Sequence, residues 1–209
     1  MNATKRARAG LVLGGMAGAV LLRAITARAL LAKGRRDVKK LNTGAHEALL
    51  ASYAKTHLYG DVDRDAFVPG DVGVVQFRLD GLVAGLLVCY DVEFPEAVRA
   101  HALAGTELLV VPTGLMDPYG HIGTVLVPAR AYESQVFVAY ANRTGAEGEF
   151  VYCGASCVIA PDGTELARAG RGEELLVADV DPAVLTASRR VNTHLADRRP
   201  ELYLPENPA

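Results

Sequence analysis

GLLVCYDVEFPE, residues 85–96, is the stretch on which the fold turns. Leu86, Leu87 and Val88 follow Ala84 and Gly85 as a buried-type strand and run directly into Cys89. Phe94-Pro95-Glu96 then opens a helix, with proline near its first turn and a glutamate at its positive end. A thiol therefore stands where a strand stops and a turn begins. A cysteine in an apolar run is ordinarily core filling. The carboxyl end of a strand in an α/β sheet, however, is where ligands bind, and nearby helix-start N–H groups favour a thiolate and an oxyanion. Cys89 is a candidate nucleophile, in need of a base and an electrostatic stabiliser.

Working outward, VGVVQFRLDGLVAGLLVCY (72–90) reads as a hairpin, its two apolar runs joined by the turn dipeptide Asp80-Gly81. The helix from Phe94 stops at Gly105, and TELLVVPT (106–113) is a buried strand. Residues 119–135 contain a helix in which Pro128 occupies a break or first turn. VFVAYANR (136–143), CGASCVIA (153–160) and EELLVADVD (173–181) supply strands, PDGT (161–164) a turn, and DPAVLTASRR (181–190) a helix with an aspartate cap. ALLASYAKTHLYG (48–60) carries a short strand-like piece. Strands alternate with helices, and several strands are apolar on both faces, so the class is α/β in layers. There is no internal repeat and no glycine-rich phosphate loop.

The chain has 209 residues, half of them hydrophobic, with a formal net charge of -2. That composition is globular and excludes a disordered or nucleic-acid-seeking protein. Three cysteines make no disulfide framework in a chain of this length and point to a reducing compartment, the cytoplasm. Charge is divided unevenly. Residues 1–40 hold ten Lys/Arg against one acid, Asp37, whereas the remainder holds twelve basic and twenty-three acidic residues. The apolar run from Gly10 to Leu22 is too short for a span of about 20 residues and is closely followed by Arg23 and Arg28. A signal peptide lacks a small-residue cleavage site, an Arg-rich targeting peptide fits the composition in part, and membrane contact by residues 1–36 is not favoured. Residues 1–40 thus read as an atypical segment, and 41–209 as the domain proper.

Lys55 lies in an apolar setting between Tyr53 and Leu58, an unusual place for an unpaired lysine. Lys55-Thr-His-Leu-Tyr-Gly-Asp61, Asp63-Arg64, Pro69-Gly70-Asp71 and Cys89-Tyr90-Asp91 with Phe94-Pro95-Glu96 resemble the nitrilase superfamily of carbon–nitrogen hydrolases. The likeness continues through Pro112-Thr113, Pro128–Gln135, Ala139–Arg143 and Pro161-Asp162-Gly163, over residues 48–190. It implies an αββα sandwich, here N-terminally incomplete, that dimerises, and a Cys–Glu–Lys triad that takes no metal or cofactor. By that resemblance Cys89 attacks the carbonyl or nitrile carbon, and Lys55 stabilises the oxyanion with help from the Tyr90 N–H. Asp63 stands where many members place a glutamate that supports substrate, and Tyr119 and His121 belong to a loop beside the site. Cys-Tyr-Asp is closer to amidases than to true nitrilases, so the expected substrate is a small-molecule amide. Glu93 occupies a position that is often basic in the family and is expected only to colour the entrance.

The triad glutamate should precede Lys55 after an apolar strand, commonly as Pro-Glu. Glu47 is the single glutamate there, with neither feature, so weak or absent activity is expected. Two rivals remain: a Cys–His hydrolase using His57 or His121 as base, and a binding or assembly partner that kept the fold without the chemistry. Cys153 and Cys157 read as core packing rather than metal ligands, and His101 and His194 as helix-surface residues.

Overall fold

The computed structural model describes residues 50–203 and the backbone of a short strand, β1, Ala7–Gly10. The rest of the basic segment and Glu47 lie outside the described residues.

The Asp80-Gly81 turn forms as the sequence predicts. Both residues take positive φ, 47° and 88°, which matches the twist of a two-residue hairpin. They join β2 (Gln76–Leu79) to β3 (Leu82–Leu86), with Leu79 opposite Leu82. After β3 the chain makes a short 3₁₀ turn, Cys89–Glu93, and enters helix α2 (Pro95–Leu103). This crossover returns it to β4 (Leu108–Thr113), which pairs parallel with β3. A widened turn, Ile122–Leu126, runs into helix α3 (Val127–Ser134), so Pro128 sits in the first turn, where its missing N–H costs nothing. β5 (Phe137–Asn142) then pairs parallel with β4. The hairpin of β6 (Thr144–Glu147) and β7 (Phe150–Cys153) stands apart, and β8 (Cys157–Ile159) and β9 (Glu165–Arg168) complete the main sheet antiparallel. The order in that sheet is β2-β3-β4-β5-β8-β9.

Alternation along β4 and β5 divides the core. Leu109, Val111, Val138 and Tyr140 face Val98 and Ala102 of α2 and Val127 and Ala131 of α3. Leu108, Val110, Phe137 and Ala139 face the other way, onto Val180 of β10 (Val177–Val180) and Leu185 of helix α4 (Pro182–Val191). Helices α2 and α3 thus cover one face, and β10 together with helix α4 covers the other. β10 pairs antiparallel with β1, Ala7 opposite Val180. The Asp181 side chain accepts from the Ala183 N–H at 2.9 Å, the expected cap of α4.

Three local expectations are corrected. Residues 51–59 form no strand; they run irregularly into the short helix α1, Gly60–Arg64, because their polar groups bond to a distant side chain rather than to a ladder. His101 is fully buried rather than on the surface. It fills the space over Gly85, where an added Cβ would lie 2.5 Å from its Nδ1. His194 is exposed but lies in a turn after α4, its ring edge-on to Tyr132.

Candidate active site

The carboxyl ends of β3, β4 and β5 meet at one rim of the sheet, and each contributes a loop. Cys89 follows β3. Its φ of 51° places an L-residue in the left-handed region, a strain of about 1–2 kcal/mol that fixes where the sulfur points. Gly114 follows β4, and Asn142 ends β5. The buried Asn142 side chain accepts from the Leu115 N–H at 2.7 Å and donates to the Gly154 carbonyl at 2.8 Å, pinning the loop that carries Gly114.

Cys89 is partly accessible. Burial pushes its thiol above the ordinary value, and the nearby Asp63 charge adds to that. Backbone hydrogen bonding from Gly114 and Tyr90 and the positive charge of Lys55 pull the other way. The sulfur therefore sits among the donors that would also hold an oxyanion, and in the field of the lysine. Lys55 itself is ion-paired and hydrogen-bonded to Asp63, whose Oδ2 also accepts from the Tyr59 N–H at 2.9 Å. One face of the site thus carries a thiol, an ammonium and a carboxylate together.

Asp91 makes that convergence possible. It is wholly buried and accepts from the Val88 N–H at 3.0 Å, which closes the nucleophile turn. The same carboxylate accepts from the Tyr53 hydroxyl at 2.9 Å, the Thr56 hydroxyl at 3.1 Å and the His57 N–H at 2.8 Å, and lies 2.9 Å from His57 Nδ1. Residues on both sides of Lys55 are therefore tied to a residue two positions after Cys89. Tyr53, desolvated and facing this carboxylate, has its phenol pushed up to about 12. Gly70 supports the segment from outside, its N–H donating to the Lys55 carbonyl at 2.8 Å. A Cβ at Gly70 would lie 2.4 Å from the Ala54 carbonyl oxygen, so the approach requires glycine.

An aromatic group lines the outer part. Tyr59 and Tyr90 meet edge to face at 5.3 Å between centroids, Tyr59 and Tyr119 at 6.4 Å, and Tyr90 and Phe94 at 5.0 Å. His57 stacks on Phe94 at 3.9 Å with its Nδ1 turned to Asp91. His121 is exposed and stands near Glu93, whereas the thiol's own neighbours are Gly114, Tyr90, Lys55 and Asp63. Lys55, Asp63, Cys89, Tyr90 and Tyr119 are thus brought together, with His121 at the periphery. Sequence reasoning assigned no role to Tyr59, Gly114 or Asn142. Asp91 was visible only as the third letter of Cys-Tyr-Asp. Cys153 and Cys157 are free and buried, Cys153 beside Leu115 and Ile122. No group of three or more His, Cys, Asp or Glu side chains among the described residues is placed to hold a metal.

A sequence model of the carbon-nitrogen hydrolase family matches residues 38–190. The chain belongs to the carbon-nitrogen hydrolase family. Among curated relatives, the "Hydrolase in pqqF 5'region" of Pseudomonas protegens is 48% identical over 154 residues, which cover 74% of this chain and 54% of that protein. The (R)-stereoselective amidase of a Pseudomonas species is 42% identical over 155 residues, 73% of this chain and 56% of the relative. Among solved structures, an amidase from Nesterenkonia sp. superposes with a TM-score of 0.66 at 43% identity, covering 74% of this chain and 55% of that one. The chain therefore spans about half the length of the relatives it matches. In two variants of the Nesterenkonia amidase, with a glutamate replaced by glutamine or by leucine, the acetamide moiety of fluoroacetamide is covalently added at the active-site cysteine. As a carbon-nitrogen hydrolase the chain has the mixed α/β architecture of its relatives. No described helix is long and apolar enough to cross a membrane.

Proposed function

We propose that this carbon-nitrogen hydrolase cleaves a small amide through a thioester on Cys89. The observation that carries the reading is the left-handed turn that presents the Cys89 sulfur to the Tyr90 and Gly114 backbone beside the Lys55–Asp63 pair. The Cys89 thiol passes its proton to a general base as its sulfur attacks the amide carbon and forms the C–S bond. The carbonyl oxygen, now negative, is held by Lys55 and the backbone donors, each worth roughly 3–4 kcal/mol in comparable hydrolases. The C–N bond breaks as the nitrogen takes a proton and leaves as ammonia or an amine. Water then attacks the thioester, the C–S bond breaks, and the acid departs. Asp63 orients Lys55 and accepts from the substrate amide, while Tyr119 and His121 border the entrance.

Proton delivery to the leaving nitrogen and removal from water call for a general base, which the family resemblance assigns to a glutamate before Lys55. With Glu47 the single glutamate there, turnover by the 209-residue chain is slow and covalent capture at Cys89 outlasts it. The reading extends to a homo-oligomer in the cytoplasm, where the three free thiols persist. A Cys–His mechanism is disfavoured because the groups acting on the Cys89 thiol are Gly114, Tyr90, Lys55 and Asp63, with neither His57 nor His121 among them.

Fluoroacetamide tests the reading. Displacement of fluoride by the Cys89 thiolate leaves one carbamoylmethyl group on sulfur, read by peptide mass spectrometry. Modification is expected at Cys89 and not at Cys153 or Cys157, and K55M should slow it. Equal modification of all three thiols, or none at Cys89, would overturn the proposal.

A further inference from the structure

Glu93 ends the turn that begins with Cys89, four residues on, and its side chain is half-buried. Its backbone carbonyl is fixed by Arg130 Nη2 at 2.8 Å, and Arg130 Nε holds the Val92 carbonyl at 3.1 Å. The guanidinium gives its ion pair elsewhere, to Glu133 at 2.8 Å. Lys55 likewise spends its charge on Asp63. Among the described residues, no hydrogen bond or ion pair involves the Glu93 carboxylate. His121 also stands near it and is exposed to water.

The Lys55–Asp63 and Arg130–Glu133 pairs cancel, so Glu93 gives the rim an uncompensated negative charge. Burial raises the carboxyl above its ordinary value, and nearby His121, Arg130 and Lys55 oppose that without a direct ion pair or hydrogen bond to it. Glu93 and Cys89 stand at the two ends of one short turn at the rim, and the charge of each acts on the Tyr140 phenol. Tyr90 belongs to that same turn, and its ring meets Tyr59, which in turn meets Tyr119, edge to face. A carboxylate with no ion pair or hydrogen bond, on a turn that also carries an aromatic cluster, is chemistry suited to a cation.

We infer that Glu93, with Tyr59, Tyr90 and Tyr119, forms a subsite for an ammonium-bearing end of the substrate, so that the enzyme selects cationic over anionic amides. The inference rests on the amide-hydrolase reading of the Cys89 site. A short chain places the ammonium at Glu93 while the amide carbon reaches sulfur, and a substrate carboxylate there meets repulsion.

Three amides of nearly equal size separate the charges: γ-aminobutyramide, butyramide and succinamate. Their affinities are measured by calorimetry or ligand-observed NMR on the full chain carrying C89A, so that nothing turns over. γ-Aminobutyramide should bind roughly tenfold tighter than butyramide, as expected for one partly screened charge pair, and succinamate most weakly. The ratio should shrink in high salt, and E93Q should bring it near one, with E93D restoring part of it. Were E93Q to misfold, the ranking of the three amides and its salt dependence would still decide. Equal affinities, a salt-independent ranking, or no binding by any of the three would overturn the subsite. Fluoroacetamide labelling of Cys89 without a charge ranking would sink this inference alone; a charge ranking without labelling would sink the hydrolase reading.

Discussion

Replacing Asp91 by asparagine tests whether one buried carboxylate holds the nucleophile turn and the lysine segment in register. The two oxygens of Asp91 face only donors: the Tyr53 and Thr56 hydroxyls, the His57 and Val88 N–H groups, and His57 Nδ1. Asparagine must turn its NH₂ toward one of those sides. With the oxygen kept toward Thr56 and His57, the Tyr53 hydroxyl escapes by rotating its hydrogen to Thr56 Oγ1, 3.0 Å away. The Val88 N–H has no such escape and is left facing another donor. An unsatisfied buried N–H costs about 1–3 kcal/mol, and each bond that loses its charge assistance costs roughly a further 1 kcal/mol. The expected penalty is about 3 kcal/mol, a large part of a marginal fold. It should fall first on the 53–57 segment. Native-state hydrogen exchange at the His57 amide should therefore quicken roughly a hundredfold, the kinetic equivalent of that energy. Fluoroacetamide labelling of Cys89 should slow in parallel as Lys55 drifts away. His57 exchange within a factor of five of the parent, together with undiminished labelling, would refute the latch.

Two further outcomes follow from close packing and burial. G70A should lower stability by about 1–3 kcal/mol in urea titration and slow Cys89 labelling, because the added methyl meets the Ala54 carbonyl at 2.4 Å and must displace the lysine segment; an unchanged midpoint would show that the segment yields freely. Burial holds the His101 imidazole below its ordinary value, opposed by a backbone hydrogen bond at Leu86 and by Asp91. A group depressed in the folded state gives its full stability above the unfolded value, near pH 6.5 for histidine, and loses it as pH falls through the folded value. Urea unfolding between pH 7.5 and 5 should therefore show falling stability that H101L flattens, and equal slopes for both chains would count against the assignment.

What the sequence encoded locally could be read from it. The β2–β3 hairpin is written in two residues of turn chemistry, β4 and β5 in short runs apolar on both faces, and the α4 start in Asp181-Pro182. Cys89 announced itself by standing at the end of a strand. The segment around Lys55 was misjudged as strand-like because its conformation is set by a side chain 34 to 38 positions away, and no local pattern reports that. His101 was taken for a surface residue because its helix is short and weakly amphipathic. The decisive signal, Gly85 opening room in the facing strand, becomes meaningful only once the two are in contact. Glu93 was read as colouring the entrance; that Lys55 and Arg130 form their ion pairs with other carboxylates is visible only in the structure.

The backbone bend at Cys89 settles the heading of its side chain before any rotamer is chosen. A serine installed there would inherit the location and none of the acidity. An alcohol needs a strong, adjacent base to become a nucleophile, whereas among the described residues this neighbourhood supplies peptide dipoles, an ammonium and a carboxylate already paired to that ammonium. Geometry that tolerates the exchange of one atom thus meets chemistry that does not, and the scaffold is committed to sulfur.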